Sequence, residues 1–371
     1  MDLKRIFIKD ACPTKTGGQA VLNGIMMKGA TRTAVAVRLP DETMHIRIEE
    51  NKPPMKVAKI PFVRGVFVFV NSLVQGTKIL TYSADVLETF EREHPDFYDQ
   101  KEAEPAEGDG AAESAGEAVR EAAAELSTEN KEEGGFYGWL VRRFGEKGAW
   151  NFALAMSVVG AILATVLIFI IAPTIVVNLL KHVTTSEIVL NLTEGVLRII
   201  MFILYVVLIR RMEEIKDVFR YHGAEHKTIH CYENGLELTP ENAQQFYTLH
   251  PRCGTSFLMF VLVISLVLFS LLGWPNLFWR ILSRVLLLPV IAGLSFELLR
   301  WAGRSDNIVV KILSMPGLLL QKLTTNEPTD RHLEVAIAAM KAVLTEENDL
   351  GEGLCDKDGR IYQTHVIKEP A

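Results

Sequence analysis

The sequence predicts an α-helical polytopic membrane protein, with about four spanning helices, one interfacial or re-entrant helix and a small N-terminal β-hairpin region. Two uncharged blocks and two nearly apolar ones carry that expectation. Ala149 to Leu180 holds no charged residue over 32 positions and Thr255 to Trp279 none over 25, where about 20 apolar residues suffice to cross a bilayer. Ile188 to Ile209 and Ile281 to Leu299 are also long enough, but the first contains Glu194 and Arg198 and the second Arg284 and Glu297. Charges inside a span are costly and are usually partnered. An i,i+4 pair accounts for Glu194 and Arg198; as a plain ion pair, Glu297 would use Arg300 or Arg304.

From the N-terminus, MDLKRIFIKDACPTK lacks the apolar core of a secretory signal. Thr33 to Arg38 and Met44 to Ile48 alternate on either side of LPDET, a hairpin with Asp41 in its turn. Glycines 17, 18, 24 and 29 read as backbone turns, since a phosphate-cradling loop would need GxxxxGK[ST] or GxGxxG spacing and a following helix. In KIPFVRGVFVFVNSLVQGTKIL the uninterrupted apolar core runs only from Val66 to Val70, between Lys59, Arg64 and Lys78. Residues 57–80 are therefore expected at the membrane interface or re-entering it, not as a fifth span.

Residues 1–95 form the expected N-terminal region, and 96–135 an acidic disordered linker. Asp99 to Glu133 carries twelve acids against Lys101, Arg120 and Lys131, more negative charge than the chain's net −6, so the remainder is slightly basic. Rich in Ala, Glu and Gly, this segment has too little apolar surface to bury a core. The membrane domain is expected over 136–305 with a His-rich loop at 210–254, followed by a cytoplasmic region, 306–371. There Pro316 and Gly317 break the apolar run, Glu327 to Leu344 forms an amphipathic helix with its stripe on Leu333, Ile337, Met340 and Leu344, and a short hairpin turns around Asp358 and Gly359.

Basic residues flank the spans asymmetrically: Arg142, Arg143 and Lys147 precede the first; Arg210, Arg211, Lys216, Arg220 and Lys227 follow the second; Arg300, Arg304 and Lys311 follow the fourth. That bias puts both termini and the loop 210–254 in the cytoplasm. Cys12, Cys231, Cys253 and Cys355 all fall on that side, where thiols stay reduced, so they are ligands or inert thiols rather than disulfides.

The stretch RYHGAEHKTIHCYE, Arg220 to Glu233, continues a helical stripe that begins at Met212, Ile215 and Phe219 and runs on through His222, His226 and His230. Because the histidines prolong an apolar face, they point into protein or membrane surface. Two imidazoles four apart on one helix converge on one divalent ion, whereas His222 and His230 lie about 12 Å apart along the axis. His222 to His226 is an HxxEH arrangement, as in inverzincin metallopeptidases, with the Glu as base; Glu225 sits about 60° from His222 around the helix, beside a shared ion rather than on it. A third ligand is sought at the same face among His250, Cys253 and Glu297. His250 and Cys253 can also be read as a helix entry, with Pro251 and Gly254 turning the chain.

Four motifs in order, GGQAVLNGIMMKG, YHGAEHK, HPRCGTSF and PGLLLQKLTTNEPTDRHLEVAIAA, resemble the YqhQ-like bacterial membrane family, catalogued as domain of unknown function 1385, over almost the whole chain outside the acidic segment. The resemblance implies a multi-pass protein of the bacterial inner membrane with its motifs on one face, and a metal-dependent enzyme whose reaction it does not specify. Asn23 stands where the first motif is expected to carry an acid, so that loop is assigned no metal or catalytic role.

Two functional classes follow. One is a membrane-embedded hydrolase in which His222 and His226, with Glu297, His250, His230 or Cys253, hold Zn2+ or another divalent transition metal while Glu225 activates water against a membrane-protein or lipid-linked substrate. The other is a non-catalytic biogenesis, assembly or transport factor with a structural polar or metal cluster. The bilayer is the expected partner. Nucleic acid is not, since no basic patch interleaved with aromatics is present. Oligomeric state is left open.

Overall fold

The computed structural model describes residues 14, 16–52, 60, 63–95, 136–180, 184, 186–272, 276–302, 307–344 and 351–364. The acidic segment 96–135, Cys12 and the start of the stretch 57–80 lie outside them. The chain divides into two compact units, Met1–Ala103 with Ile203–Ala371, and Glu104–Phe202.

The first unit is built on a six-stranded antiparallel meander: β1 Gly17–Val21, β2 Gly24–Lys28, β3 Arg32–Arg38, β4 Met44–Glu50, β5 Gly351–Cys355 and β6 Ile361–Thr364, in that order. The expected hairpin is β3–β4, with Asp41 Oδ1 accepting from the Thr43 amide at 3.0 Å. It belongs to a larger sheet because the C-terminal hairpin returns to pair β5 with β4. The glycine reading needs correction. Gly17, Gly18 and Gly24 lie in strands, and the left-handed turn between β1 and β2 is taken by Asn23, φ 48°, one of the few side chains that tolerates it. Gly24 is required by proximity, for a Cβ there would lie 2.3 Å from the Ala36 carbonyl of β3.

Strand residues alternate between two cores. Ile25, Met27, Ala34, Ala36, Ile46 and Ile48 face one side, with Leu333, Ala336, Ile337 and Met340 of a helix Asp330–Leu344, which starts three residues later than expected. Met26, Val35 and Val37 face the other, against Val86 and Phe90 of α1, Val63–Glu93. Covering both faces explains why β2 is buried at four consecutive positions instead of showing a polar side.

α1 is far longer than its apolar core suggests. Its second half packs on the sheet, while its start crosses a helix Leu277–Ala302 so closely that a Cβ on Gly65 would lie 2.8 Å from the Gly293 Cα. At that crossing Arg64 Nε donates to Glu297 Oε1 at 2.6 Å, and Nη2 contacts the other carboxylate oxygen.

In the second unit, α2 Phe136–Val166 is interrupted at Gly145, φ 73°, and continues through a π-helical turn, Leu167–Ile171, into α3 Ala172–Leu179. α4, Glu187–Ile209, follows, its residues from Ile203 onward belonging to the first unit. Glu194 and Arg198 form the expected i,i+4 pair at 3.0 Å. Arg198 Nε also donates to the Phe169 carbonyl at 2.8 Å within the π-turn, and the Thr174 hydroxyl donates to Glu194 at 2.7 Å. Glu194 and Arg198 are thus both hydrogen-bonded, as burial demands.

The first unit continues with α5 Glu213–Glu233, the short α6 Pro240–Gln244, α7 Thr255–Ser270, α8 Leu277–Ala302, α9 Ile308–Thr324 and α10 Asp330–Leu344. Among the described residues three helices are long and apolar enough to cross a membrane, Val159–Leu179, Glu187–Ile209 and Phe278–Trp301. The expected continuous span Thr255 to Trp279 is corrected: α7 ends at Ser270. Its 16 residues reach about 24 Å at 1.5 Å per residue, short of a hydrocarbon core of about 30 Å. The apolar run crosses a Gly–Trp–Pro sequence, and Gly and Pro are the poorest helix-interior residues. Pro316 and Gly317 do not stop α9, which runs through both. Gly317 instead lets α9 touch Ser256, whose Oγ would lie 2.6 Å from a Cβ there.

Candidate metal centre

α5 opens with Glu213 and Glu214, favourable at the positive end of its dipole. From Tyr221 onward almost every residue is buried, although YHGAEHKTIHCYE is polar, so each polar group needs a partner. Lys227 donates to the Gln244 carbonyl and side chain and pairs with Glu327 at 2.7 Å. The imidazoles face the segment 245–254 and the end of α9.

His222 Nδ1 lies 2.7 Å from the Thr324 carbonyl, and His226 Nδ1 2.5 Å from that of Thr248. A carbonyl only accepts, so both rings carry a proton on Nδ1, the tautomer that in a neutral imidazole leaves the lone pair on Nε2. His222 Nε2 is 3.2 Å from Cys253 Sγ, and one ligand atom from each of His222, His226 and Cys253 lies within 4.8 Å of the others. His226 Nε2 is buried with no hydrogen-bond partner among the described residues; such an orphaned atom costs about 1–3 kcal/mol. Cys253 sits at the entry to α7, where the Thr255 amide donates to its sulfur at 3.4 Å. Two imidazole nitrogens and a sulfur are a fitting donor set for a tetrahedral transition metal with one position left over. Carbonyls behind the rings are the usual device for fixing the ligating tautomer.

Gly223 makes the arrangement sterically possible. A Cβ there would lie 2.1 Å from the Asn326 carbonyl oxygen and 3.2 Å from Thr248 Cγ2, so α5 touches backbone at the point where both histidine carbonyls are presented.

The other sequence candidates are placed around this group. Glu225 turns towards the sheet, its Oε1 accepting from the Gly18 amide at 2.9 Å. Burial raises its pKa, with His222 and the Gly18 hydrogen bond opposing. His250 lies tilted against two neighbouring rings, its ring centroid 5.7 Å from His226 and 4.6 Å from His230. Its Nε2 is 3.7 Å from Glu233 Oε2. His230 is engaged with the Leu249 carbonyl at 3.0 Å. Glu297 lies apart, paired with Arg64 of α1. Sequence reasoning did not single out Gly223, Thr248, Thr324, Glu233 or Gln321. The second motif contains Gly223 and the fourth contains Gln321 and Thr324, but neither assigns them a role.

Electrostatics favour neutral rings at His226, His230 and His250. Burial lowers the pKa of His226 and pushes His230 and His250 down to about 4. For Glu233 burial acts upward, but hydrogen bonds from His250 and Thr14 and the charge of Arg252 hold it down at about 2. The folded His230 and His250 titrate below the unfolded reference of about 6.5, so the unfolded chain binds more protons as pH falls. Their stability contribution is full above about 6.5 and diminishes down to about 4. Glu233 acts lower still, its contribution full above about 4.5 and lost towards about 2. The unfolding midpoint of purified protein therefore falls between pH 6.5 and 4, with a shallower slope in His250→Gln. A midpoint flat across that interval contradicts this account.

The family described as "Protein of unknown function (DUF1385)" matches residues 60–346. The chain is 30% identical over 345 residues to "Uncharacterized protein YqhQ" of Bacillus subtilis (strain 168), covering 91% of this chain and 95% of that protein. No solved structure matches.

Proposed function

The chain belongs to the DUF1385 family, and from the geometry of its His/His/Cys group we propose that it is a membrane-embedded, metal-dependent hydrolase of the bacterial inner membrane. His222 Nε2, His226 Nε2 and Cys253 Sγ would hold Zn2+ or another divalent transition metal. The observation that carries this reading is that His226 Nε2 is buried with no hydrogen-bond partner among the described residues, in a group where one ligand atom from each of His222, His226 and Cys253 lies within 4.8 Å of the others. Three protein ligands are the catalytic rather than the closed structural number for zinc. When bound, the ion would supply Lewis acidity to water and to the scissile carbonyl or phosphoryl group.

The chain's own residues divide the remaining work. Thr324 and Thr248 orient the two rings through their carbonyls. Glu225, one residue before His226 and raised in pKa by burial, is the base that accepts the proton from water. The basic flanks of the apolar helices support placing the group at the cytoplasmic face, which fits a membrane-protein or lipid-linked substrate.

A second reading has its own support. The Glu225 carboxylate already accepts from Gly18, and the group is enclosed, which suits a metal that staples α5 to the 248–253 segment in a non-catalytic assembly or transport factor. Glu225→Gln separates the two, since the amide oxygen retains the Gly18 hydrogen bond but the base is gone. The hydrolase reading expects unchanged metal content and unfolding midpoint with loss of the cellular role in a complementation assay, as general-base assistance is worth about 10² to 10⁴ in rate. Full complementation would rule out the hydrolase.

A further inference from the structure

The fourth motif, PGLLLQKLTTNEPTDRH, contributes no candidate ligand, yet its short stretch from Gln321 to Asn326 touches the mounting of all three. Thr324 presents the carbonyl that orients His222. The Thr325 hydroxyl reaches that of Thr248, whose carbonyl orients His226, at 3.5 Å. The Asn326 carbonyl seats against Gly223, and its amide donates to the Phe219 carbonyl at 2.9 Å.

Gln321 does the same for the cysteine turn. It is fully buried, at 0% exposure. Its Oε1 accepts from the His250 amide at 2.8 Å, and its Nε2 donates to the His250 carbonyl at 2.9 Å and to Ser256 Oγ at 3.1 Å. One side-chain amide thus pairs with both backbone groups of the residue three before Cys253 and with the hydroxyl three after it. The turn between is closed by the Cys253 amide donating to His250 at 3.3 Å and the Ser256 amide to Cys253 at 3.1 Å. A buried primary amide is the side chain able to satisfy an N–H and a C=O of one residue together.

We propose that Gln321 is the positioning residue that fixes Cys253 against His222 and His226, and that the end of α9 is the template of the metal centre. The part concerning the metal rests on the ligand set proposed above; the part concerning the thiol does not. Because α9 also meets α7 through Gly317 and Ser256, a shift of α9 along its axis would move the sulfur relative to the two rings. Coordination is thereby tied to the seating of this helix.

Gln321→Met tests the assignment, being similar in volume but unable to hold either His250 group, and Gln321→Glu, which keeps one acceptor, serves if the first variant does not fold. Two readouts are taken on the purified full chain in detergent. With Co2+ as probe, the wild type shows thiolate-to-cobalt charge-transfer absorption. Gln321→Met reduces it at least about threefold while the visible bands of cobalt held by the two imidazoles persist. In metal-free protein, alkylation of Cys253 relative to buried Cys231 rises about tenfold in Gln321→Met and less in Gln321→Glu, as the turn opens locally. General destabilisation would accelerate both thiols together, and that result overturns the proposal. So does an unchanged Cys253 to Cys231 ratio. A wild type without the charge-transfer band refutes the ligand set, and the thiol ratio then decides the role of Gln321 alone.

Discussion

Replacing His226 by Ala abolishes metal binding, and replacing His222 by Ala or Cys253 by Ser removes most of it, while His230→Ala leaves the metal content near the wild-type level. The ranking follows from geometry, since His230 is spent on the Leu249 carbonyl and lies outside the three-residue group. Structural zinc sites are worth about 10–16 kcal/mol in total. One of three ligands therefore carries roughly 4 kcal/mol, on the order of 10³-fold in affinity. Elemental analysis of protein purified without added metal reads this directly. Equal losses at His222, His226 and His230 would point to a different ligand set.

Gly223→Ala is expected to be almost as damaging without touching a ligand atom. The new methyl meets the Asn326 carbonyl at 2.1 Å, and because that atom is backbone it cannot give the relief a flexible side chain would. The cost is about 3 kcal/mol, at the upper end of ordinary overpacking. Displacing the segment 324–326 also withdraws the Thr324 carbonyl from His222, so metal content falls with stability. Gly254→Ala is the control: it lies beside Cys253, but a Cβ there meets nothing within 4 Å and its backbone is already right-handed helical. Thermal unfolding and metal analysis of both variants make the comparison. A tolerated Gly223→Ala would mean that the approach of α5 to residues 324–326 is not what orders the centre.

The parts of this architecture legible in the sequence are those written in local pattern. Alternation marked β3 and β4, helical periodicity marked the stripe from Ile215 to His230, though Met212, expected to begin it, is the extended residue before α5, and i,i+4 spacing marked the Glu194–Arg198 pair. What was hidden depends on distant chain. The β4–β5 pairing joins Met44 to Cys355, and no local signal reports a partner more than three hundred residues away. The same holds for Glu297, whose partner Arg64 is 233 residues distant, whereas the sequence suggested Arg300 or Arg304, one or two turns along. The three candidates for a third ligand could not be ranked because the turn at 250–254 is set by Gln321, on a helix that closes over it only in the folded chain. Helix lengths were misjudged where apolar composition alone was counted. α7 ends inside an uncharged block, and α9 passes through a proline and a glycine whose partner, Ser256, lies on another helix.

The central claim is a mixed nitrogen and sulfur coordination sphere, and zinc K-edge X-ray absorption of the purified wild type tests it most directly. The account predicts one sulfur at about 2.3 Å and two imidazole nitrogens at about 2.0–2.1 Å, with the sulfur shell absent in Cys253→Ser. Protein that carries no transition metal, or a metal shell without sulfur in the wild type, would contradict it.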